Sequence, residues 1–196
     1  MNVVKPTTIV GLLLTASIVT VSLRVIAETP IPPTALDFRN TVTGAPLDLS
    51  NAQPEGRDTP GVKAFFETGV DPYIDDKSCL KKGETVFLTA CSGCHGEIGE
   101  GKIGPGLNDD YWTYPKNVTD QGLFETIFEG ATAQMGPHSD LTLEEILQVM
   151  AWVRHLYKDD VKNAPWLNAA QKKNYTPYKL GEKFADDAPG MCADKK

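Results

Sequence analysis

The sequence predicts an all-α fold: a small helical core with a long irregular extension at each end. Segments with helix-capping residues and apolar residues at helical spacing fall between residues 78 and 158. We find no strong strand pattern in the chain. The 14 Pro and 17 Gly among 196 residues are enough for long irregular stretches outside the core.

Residues 1–27 have the features of a secretory signal peptide. Lys5 supplies a positive start, the stretch from Ile9 to Leu23 is largely apolar, and Val25-Ile26-Ala27 precedes a polar chain. The apolar run of about 15 residues is short for a bilayer, which needs about 20. An uncleaved membrane anchor is the alternative. Cleavage near Ala27 would place the mature chain in the periplasm, with no stable membrane span.

The chain is acidic, with 19 Lys and Arg against 26 Asp and Glu and a net charge of −7. Removal of Lys5 and Arg24 with the signal peptide would leave 17 basic residues and a net charge of −9. Nucleic acid would be repelled by such a chain and is excluded as a partner. The acidic surface could instead steer a positively charged partner.

Residues 28–77 are predicted to form an irregular N-terminal extension. One helix is expected from Thr59 to Glu67, with Thr59 as its cap, Pro60 in its first turn and Gly69 just past its end. The segment that begins at Phe38 is short and turn-rich, which favours a small hairpin. Neither piece could form a large core alone, so we expect this extension to wrap around another part of the chain.

Residues 78–158 form the predicted compact domain, with helices at Cys79–Cys91, Asp120–Glu129 and Leu143–Tyr157. Gly83 inside the first helix marks a place where another helix crosses closely. Thr142 and Glu145 match a capping box at the start of the third. Residues 159–196, with three further prolines, are predicted to be an irregular extension packed on this domain. Three helices make a small core, so a prosthetic group would supply the missing apolar volume.

The motif Cys91-Ser92-Gly93-Cys94-His95 carries the chemistry of the chain. Its spacing lets two thiols add to the vinyl groups of a haem while the adjacent imidazole binds the iron. A thioredoxin-like pair should open a helix after a strand, whereas this motif closes a helix. A zinc site needs four ligands, and no second pair lies at suitable spacing. A structural disulfide would leave His95 unexplained. We therefore expect one covalent haem c.

His95 is thus the expected proximal ligand, and a hydrogen bond from its other ring nitrogen should fix the imidazole. The segment Gly104-Pro105-Gly106-Leu107 follows ten residues later. We predict the Pro105 carbonyl as the acceptor. The alternative is that this segment is only a loop.

The sixth iron position needs a ligand from the opposite side. The candidates are Met135, His138, Met150, His155 and Met191. Met150 lies on the apolar stripe of the third helix and His155 near its polar end, so we expect the first in the core and the second in solvent. Met135 lies in a loop stiffened by Gly136-Pro137 and is the predicted ligand, with His138 as the alternative. A methionine thioether raises the reduction potential of the haem iron. If protein ligands fill both axial positions of the iron, no position is left for a substrate.

Cys79 and Cys192 remain after the haem has taken its two cysteines. In an oxidising compartment we expect them to form a disulfide, the alternative being two free thiols. The bridge would tie the C-terminal extension to the start of the first core helix. It would close a long loop, which stabilises the folded chain by about 4–5 kcal/mol on the chain-entropy account.

Tyr111-Trp112-Thr113-Tyr114 is an aromatic cluster on a predicted loop. We expect it to pack over the haem, with the Trp112 indole N–H available to donate to a haem propionate. The alternative is an exposed contact surface for a partner.

The haem motifs together resemble class I cytochromes c: Gly83, Phe87 and Cys91 lead into the Cys-x-x-Cys-His motif, followed by Gly-Pro-Gly-Leu and a loop methionine. Longer strings resemble the cytochrome cL family over about residues 36–192. They are Phe38-Arg-Asn-Thr-Val-Thr-Gly, Gly56-Arg-Asp-Thr-Pro, Tyr73-Ile-Asp-Asp-Lys-Ser-Cys-Leu, Gly104-Pro-Gly-Leu-Asn-Asp-Asp-Tyr-Trp-Thr-Tyr-Pro, Met135-Gly-Pro-His and Tyr175-Thr-Pro-Tyr-Lys.

This resemblance implies a class I cytochrome c fold with Cys91 and Cys94 attached to haem and His95 and Met135 as axial ligands. It implies a periplasmic electron carrier, not an enzyme. The donor would be methanol dehydrogenase, a pyrroloquinoline-quinone enzyme, and the acceptor a second c-type cytochrome. Some family members bind calcium near the haem, but no loop here matches a calcium motif, so no ligands are assigned. A carrier for another dehydrogenase or oxidase, or a haem enzyme such as a peroxidase, is the alternative function.

Overall fold

The computed structural model describes Met1, residues 36–185 and residues 187–194. The predicted signal peptide, apart from Met1, lies outside these residues. The α-helices of the described part are α1 Pro60–Thr68, α2 Lys77–Val86, α3 Ser92–His95, α4 Asp120–Glu129, α5 Leu143–His155 and α6 Ala169–Asn174. Short 3₁₀ turns lie at Leu49–Asn51, Pro115–Val118 and Val161–Asn163. No described helix has the length and hydropathy needed to cross a membrane.

The all-α prediction is confirmed, since the only strand-like pairing among the described residues is an isolated bridge between Arg39 and Pro46. The bridge is flanked by backbone hydrogen bonds from Asn40 N to Ala45 O at 2.8 Å and from Leu47 N to Phe38 O at 2.9 Å, so a short hairpin turn forms where one was expected. Helix α1 begins with Thr59 accepting from Val62 N, and it ends at Gly69 in the left-handed conformation.

The predicted core helices are present, and the two later ones are close to their expected bounds. Helix α4 spans the predicted residues, and α5 begins with the expected Thr142–Glu145 capping box. The first predicted core helix begins two residues earlier than expected, at Lys77. The Asp76 side chain caps it by accepting hydrogen bonds from the backbone N–H groups of Ser78 and Cys79. Helix α2 ends at Val86. A π-helical turn, Phe87–Cys91, follows it and leads directly into α3.

Helices α2 and α5 cross at Gly83, as its position predicts. A Cβ built there would lie 2.0 Å from the backbone oxygen of Gln148 and 3.1 Å from Cβ of Trp152. Only a glycine therefore permits this close approach, which fixes the start of the haem motif relative to the long helix α5.

The N-terminal extension packs against the helical core through phenylalanines. The Phe38 ring lies 5.2 Å from Phe66 and 5.6 Å from Phe124 between centroids, and Phe65 lies 5.0 Å from Phe124. Phe124 belongs to α4, so these contacts join the extension to the core. The described part of the extension, from residue 36 onward, therefore packs against the helical core.

The C-terminal extension is fastened to the start of α2. Cys79 and Cys192 form a disulfide in the structure, as predicted. Beside it, Cys192 N donates to Ser78 Oγ at 3.1 Å and Met191 N donates to Asp76 Oδ2 at 2.7 Å. An ion pair of 2.7 Å between Lys82 Nζ and Asp194 Oδ1 adds to these contacts, so the end of the described chain is held to α2 by covalent, hydrogen-bonded and ionic contacts.

Candidate haem-binding site

A largely apolar cavity of about 560 Å³ lies between the Cys-x-x-Cys-His segment, the loop after α4 and helix α5. This volume is in the ordinary range for a small-molecule or cofactor site. None of the described residues that line the cavity is an Asp, Glu, Lys or Arg. The lining residues that the sequence singled out are Cys91, Cys94, His95, Pro105, Trp112, Met135 and His138.

Cys91 and Cys94 lie together on one wall, at the junction of the π-helical turn and α3. Burial raises the pKa of the Cys91 thiol to about 11, with a smaller contribution from Cys94. Redox-active Cys-x-x-Cys pairs have a lowered thiol pKa, because the thiolate is the reactive species. The direction found here is the opposite, which favours a covalent attachment site over a thioredoxin-like one.

His95 is buried, and its orientation is fixed by one hydrogen bond. Its Nδ1 lies 2.8 Å from the Pro105 carbonyl oxygen, which is the contact that the sequence predicts. A carbonyl only accepts, so Nδ1 carries the proton and Nε2 is left as the nitrogen with a free lone pair. A Cβ on Gly104 would lie 2.7 Å from the ring carbon Cε1. The glycine is therefore needed for the loop to lie this close to the imidazole.

The loop after α4 brings Met135 and His138 to the same cavity. Ala131 N donates to Met135 O at 2.9 Å and closes the loop at its base. A Cβ on Gly130 would lie 2.6 Å from that same oxygen, so the turn out of α4 requires glycine. Both candidate ligands therefore line the cavity that His95 also lines.

The other three candidate ligands lie elsewhere. Met150 is fully buried in the core, as predicted, and Met191 is half exposed beside Cys192. The expectation that His155 lies in solvent is wrong. Its Nε2 contacts the carboxylate of Glu182, and its ring packs against Tyr178 and Phe184 of the C-terminal extension.

Trp112 lines the cavity and is backed by a buried arginine that the sequence analysis missed. The Arg154 guanidinium lies 5.2 Å from the Trp112 ring centroid and 4.3 Å from that of Trp166. Its Nε donates to Asp120 Oδ1 at 3.0 Å, and Nη2 donates to Asn117 O at 2.9 Å. The position of Arg154 on the apolar stripe of α5 was the signal that could have found it.

Two aspartates complete this buried cluster. Asp71 N donates to Asp120 Oδ2 at 3.0 Å, and Asp71 Oδ1 accepts from Tyr73 N at 2.9 Å. Burial, and next the negative charge of Asp120, hold the pKa of Asp71 well above its usual range. Burial also raises the pKa of Asp120, against the attraction of Arg154.

The residues present fit a covalent haem. Two cysteines and an oriented imidazole share one wall of an apolar cavity, and two further candidate ligands reach it from a different loop. For calcium, the described residues contain no group of three or more His, Cys, Asp or Glu able to hold a metal ion. Nothing in the described structure supports a calcium site.

Comparison with known proteins identifies the family. The family model for subunit III of cbb3-type cytochrome c oxidase matches residues 79–153, a range that lies within the predicted haem domain. A cytochrome c-L from Methylorubrum extorquens AM1 is 61% identical over 162 residues, which is 82% of either chain.

Two solved structures are similar to this fold. The crystal structure of cytochrome cL from Hyphomicrobium denitrificans has a TM-score of 0.69 and 61% identity, over 74% of this chain and 88% of that one. Cytochrome cL from the marine methylotroph Methylophaga aminisulfidivorans MPT has a TM-score of 0.70 and 52% identity, over 76% and 99%. The described helices, the Cys-x-x-Cys-His wall and these relatives agree, so the chain belongs to the cytochrome cL family of electron-transfer proteins with covalently bound haem c.

Proposed function

We propose that this protein accepts electrons one at a time from a pyrroloquinoline-quinone methanol dehydrogenase and passes them to a second c-type cytochrome in the periplasm. The observation that carries the proposal is a single apolar cavity that unites the Cys-x-x-Cys-His motif with a candidate axial methionine. Membership of the cytochrome cL family supports the carrier role, and the signal-peptide features of residues 1–27 support the compartment.

In this proposal Cys91 and Cys94 would attach the haem, and His95 and Met135 would be the protein ligands of its iron. The haem supplies an iron that cycles between two oxidation states, and the protein supplies the ligands and the apolar surroundings that set its potential. The hydrogen bond from His95 Nδ1 to the Pro105 carbonyl keeps Nε2 as the coordinating nitrogen. Trp112 lines the same cavity and remains the proposed donor to a haem propionate.

The surface near the cavity suggests how a partner approaches. Near the opening, the exposed residues are small or uncharged, among them Ala90, Ile103, Ala133, Gln134 and Gly136. The acidic side chains lie outside the lining of the cavity. We expect them to accelerate the encounter with a basic patch on the dehydrogenase, while the close contact itself stays uncharged.

Stopped-flow mixing of the oxidised protein with methanol-reduced dehydrogenase tests the partner. We expect fast haem reduction that slows several-fold when the salt concentration reaches about 0.5 M, where the Debye length is about 4 Å. A reduction rate that does not depend on salt would refute electrostatic steering but not the role as an electron carrier. The assignment of the donor fails if no methanol dehydrogenase, whether calcium- or lanthanide-dependent, reduces the haem while another periplasmic dehydrogenase does.

The attachment and the sixth ligand have separate tests. On a denaturing gel stained for haem, the colour should migrate with the protein, and colour at the solvent front would exclude attachment at Cys91 and Cys94. Met135→Ala should lower the potential and let carbon monoxide bind the reduced iron, whereas His138→Ala should do neither. The opposite pattern would assign the sixth position to His138.

A further inference from the structure

We propose that Tyr114 is the positioning residue for Met135: its phenol holds the ligand loop, residues 131–135, against the cavity. The inference rests on the proposed role of Met135 as the sixth iron ligand. It assigns a separate task to a side chain that the sequence analysis placed in an aromatic cluster over the haem.

The phenol oxygen of Tyr114 contacts the ligand loop twice. It accepts a hydrogen bond from Thr132 N at 3.0 Å, and it lies 2.7 Å from Thr132 Oγ1 in a second hydrogen bond. Among the described residues, no other side chain outside the loop forms a hydrogen bond with residues 131–135. Tyr114 is therefore the side-chain link between the loop and the rest of the domain.

The loop needs such a link because it contains a backbone conformation that side chains avoid. Ala133 has a φ of 68°, and it is the non-glycine residue with a positive φ among the described residues. This left-handed conformation is unfavourable for any residue with a Cβ, so it persists only where surrounding contacts enforce it. Within the loop, the hydrogen bond from Ala131 N to Met135 O closes the base but leaves the exposed tip unsupported.

Tyr114 is itself well anchored. It precedes the 3₁₀ turn Pro115–Val118, whose Asn117 is buried. Asn117 O accepts from Arg154 Nη2 at 2.9 Å, and its side-chain oxygen accepts from Thr126 Oγ1 at 2.8 Å. The hydrogen bonds of Tyr114 thus connect the ligand loop to both α4 and α5. Movement of the loop away from the cavity requires breaking them.

The test is the rate at which cyanide binds the oxidised holoprotein, since an external ligand must wait until the methionine leaves the iron. Tyr114→Phe keeps the ring and removes the hydroxyl. Thr132 is exposed, so water can satisfy its freed groups and the variant should fold. We expect cyanide binding to accelerate about 5- to 30-fold, the effect of losing two ordinary hydrogen bonds from the closed state.

Tyr111→Phe is the matched control, because Tyr111 is 68% exposed and lies three residues away. It should leave the rate unchanged. Met135→Ala, which lacks the proposed sixth ligand, gives the upper limit of the cyanide-binding rate. If Met135→Ala binds cyanide fast while Tyr114→Phe matches the parent, the positioning role is refuted and the ligand stands. If Met135→Ala also matches the parent, the proposed ligand fails and this inference with it. Equal acceleration by both tyrosine variants would likewise refute a specific role for Tyr114.

Discussion

Replacement of Asp71 by asparagine should stabilise this protein at neutral pH. Asp71 is 1% exposed, and no described group hydrogen-bonds to its Oδ2. Its other oxygen accepts from Tyr73 N at 2.9 Å, and an asparagine can keep that bond through its amide oxygen. The substitution therefore removes a buried ionisable group next to Asp120 and preserves the local turn.

The sign follows from the direction of the pKa shift. Burial and Asp120 raise the pKa of Asp71 in the folded state above its unfolded value of about 3.9. The folded state then binds a proton more tightly, so the contribution of Asp71 to stability is full below about pH 4. It is lost as the pH rises towards the folded pKa, by up to about 1.4 kcal/mol per pH unit.

Two effects compete in the variant. The asparagine Nδ2 group would be as unpartnered as the carboxylate oxygen that it replaces, so the hydrogen-bond penalty is roughly unchanged. The ionisation penalty disappears, which decides the sign. We expect a gain of about 1–3 kcal/mol at about pH 7, and a smaller difference near pH 4.

Guanidinium unfolding of the holoprotein from about pH 5 to about pH 8 measures the effect. The free energy of unfolding of Asp71→Asn should exceed that of the parent by an amount that grows with pH. Asp75→Asn, at an exposed aspartate four residues along the chain, should change little at any pH. A difference that does not grow with pH, or a variant less stable than the parent at about pH 8, would show that Asp71 is not a site of buried charge.

Three further variants test other parts of the fold. The disulfide between Cys79 and Cys192 spans 113 residues, so replacing both by serine should lower the free energy of unfolding by about 4–5 kcal/mol; a double variant as stable as the parent would contradict the loop-entropy argument. Gly83→Ala places a Cβ 2.0 Å from Gln148 O, and overpacking of about 1–3 kcal/mol should exceed the helix-propensity gain of about 1 kcal/mol. A raised melting temperature in Gly83→Ala would mean that α2 and α5 can move apart enough to accommodate the added methyl group. Gly130→Ala should displace the ligand loop and accelerate cyanide binding, and an unchanged rate would show that the turn adapts.

The sequence missed the short helix α6 in the extension predicted to be irregular, although Asn168 and Gln171 form a capping box at its start. It predicted three other helices that begin with a capping residue, since a cap acts within three or four positions of the chain. Helices α1, α4 and α5 are of this kind, with Thr119 capping α4 through Gly122 N. The haem-attachment motif could also be identified from the sequence, because the attachment chemistry fixes the spacing of its residues. The π-helical turn Phe87–Cys91 was not predicted, since no residue preference marks it.

What the sequence did not predict depends on partners distant in the chain. Asp71 and Asp120 are 49 residues apart, and Arg154 is 34 residues beyond Asp120. No pattern among neighbouring residues in the sequence indicates that these three ionisable side chains meet in the interior. His155 was misplaced for the same reason, because Tyr178 and Phe184, whose rings pack against it, lie 23 and 29 residues further along the chain.

The disulfide also determines the covalent topology of the site. Every residue from Cys79 to Cys192 lies on one closed ring of bonds, which contains the Cys-x-x-Cys-His segment, the ligand loop and helix α5. A protease that cuts one peptide bond within this ring opens it without separating the two walls of the cavity. A molecule cut in the exposed ligand loop should therefore still migrate as one species on a non-reducing gel and divide only after reduction. The disulfide at the start of α2 thus keeps the two parts of the haem domain joined after a cut in the exposed ligand loop.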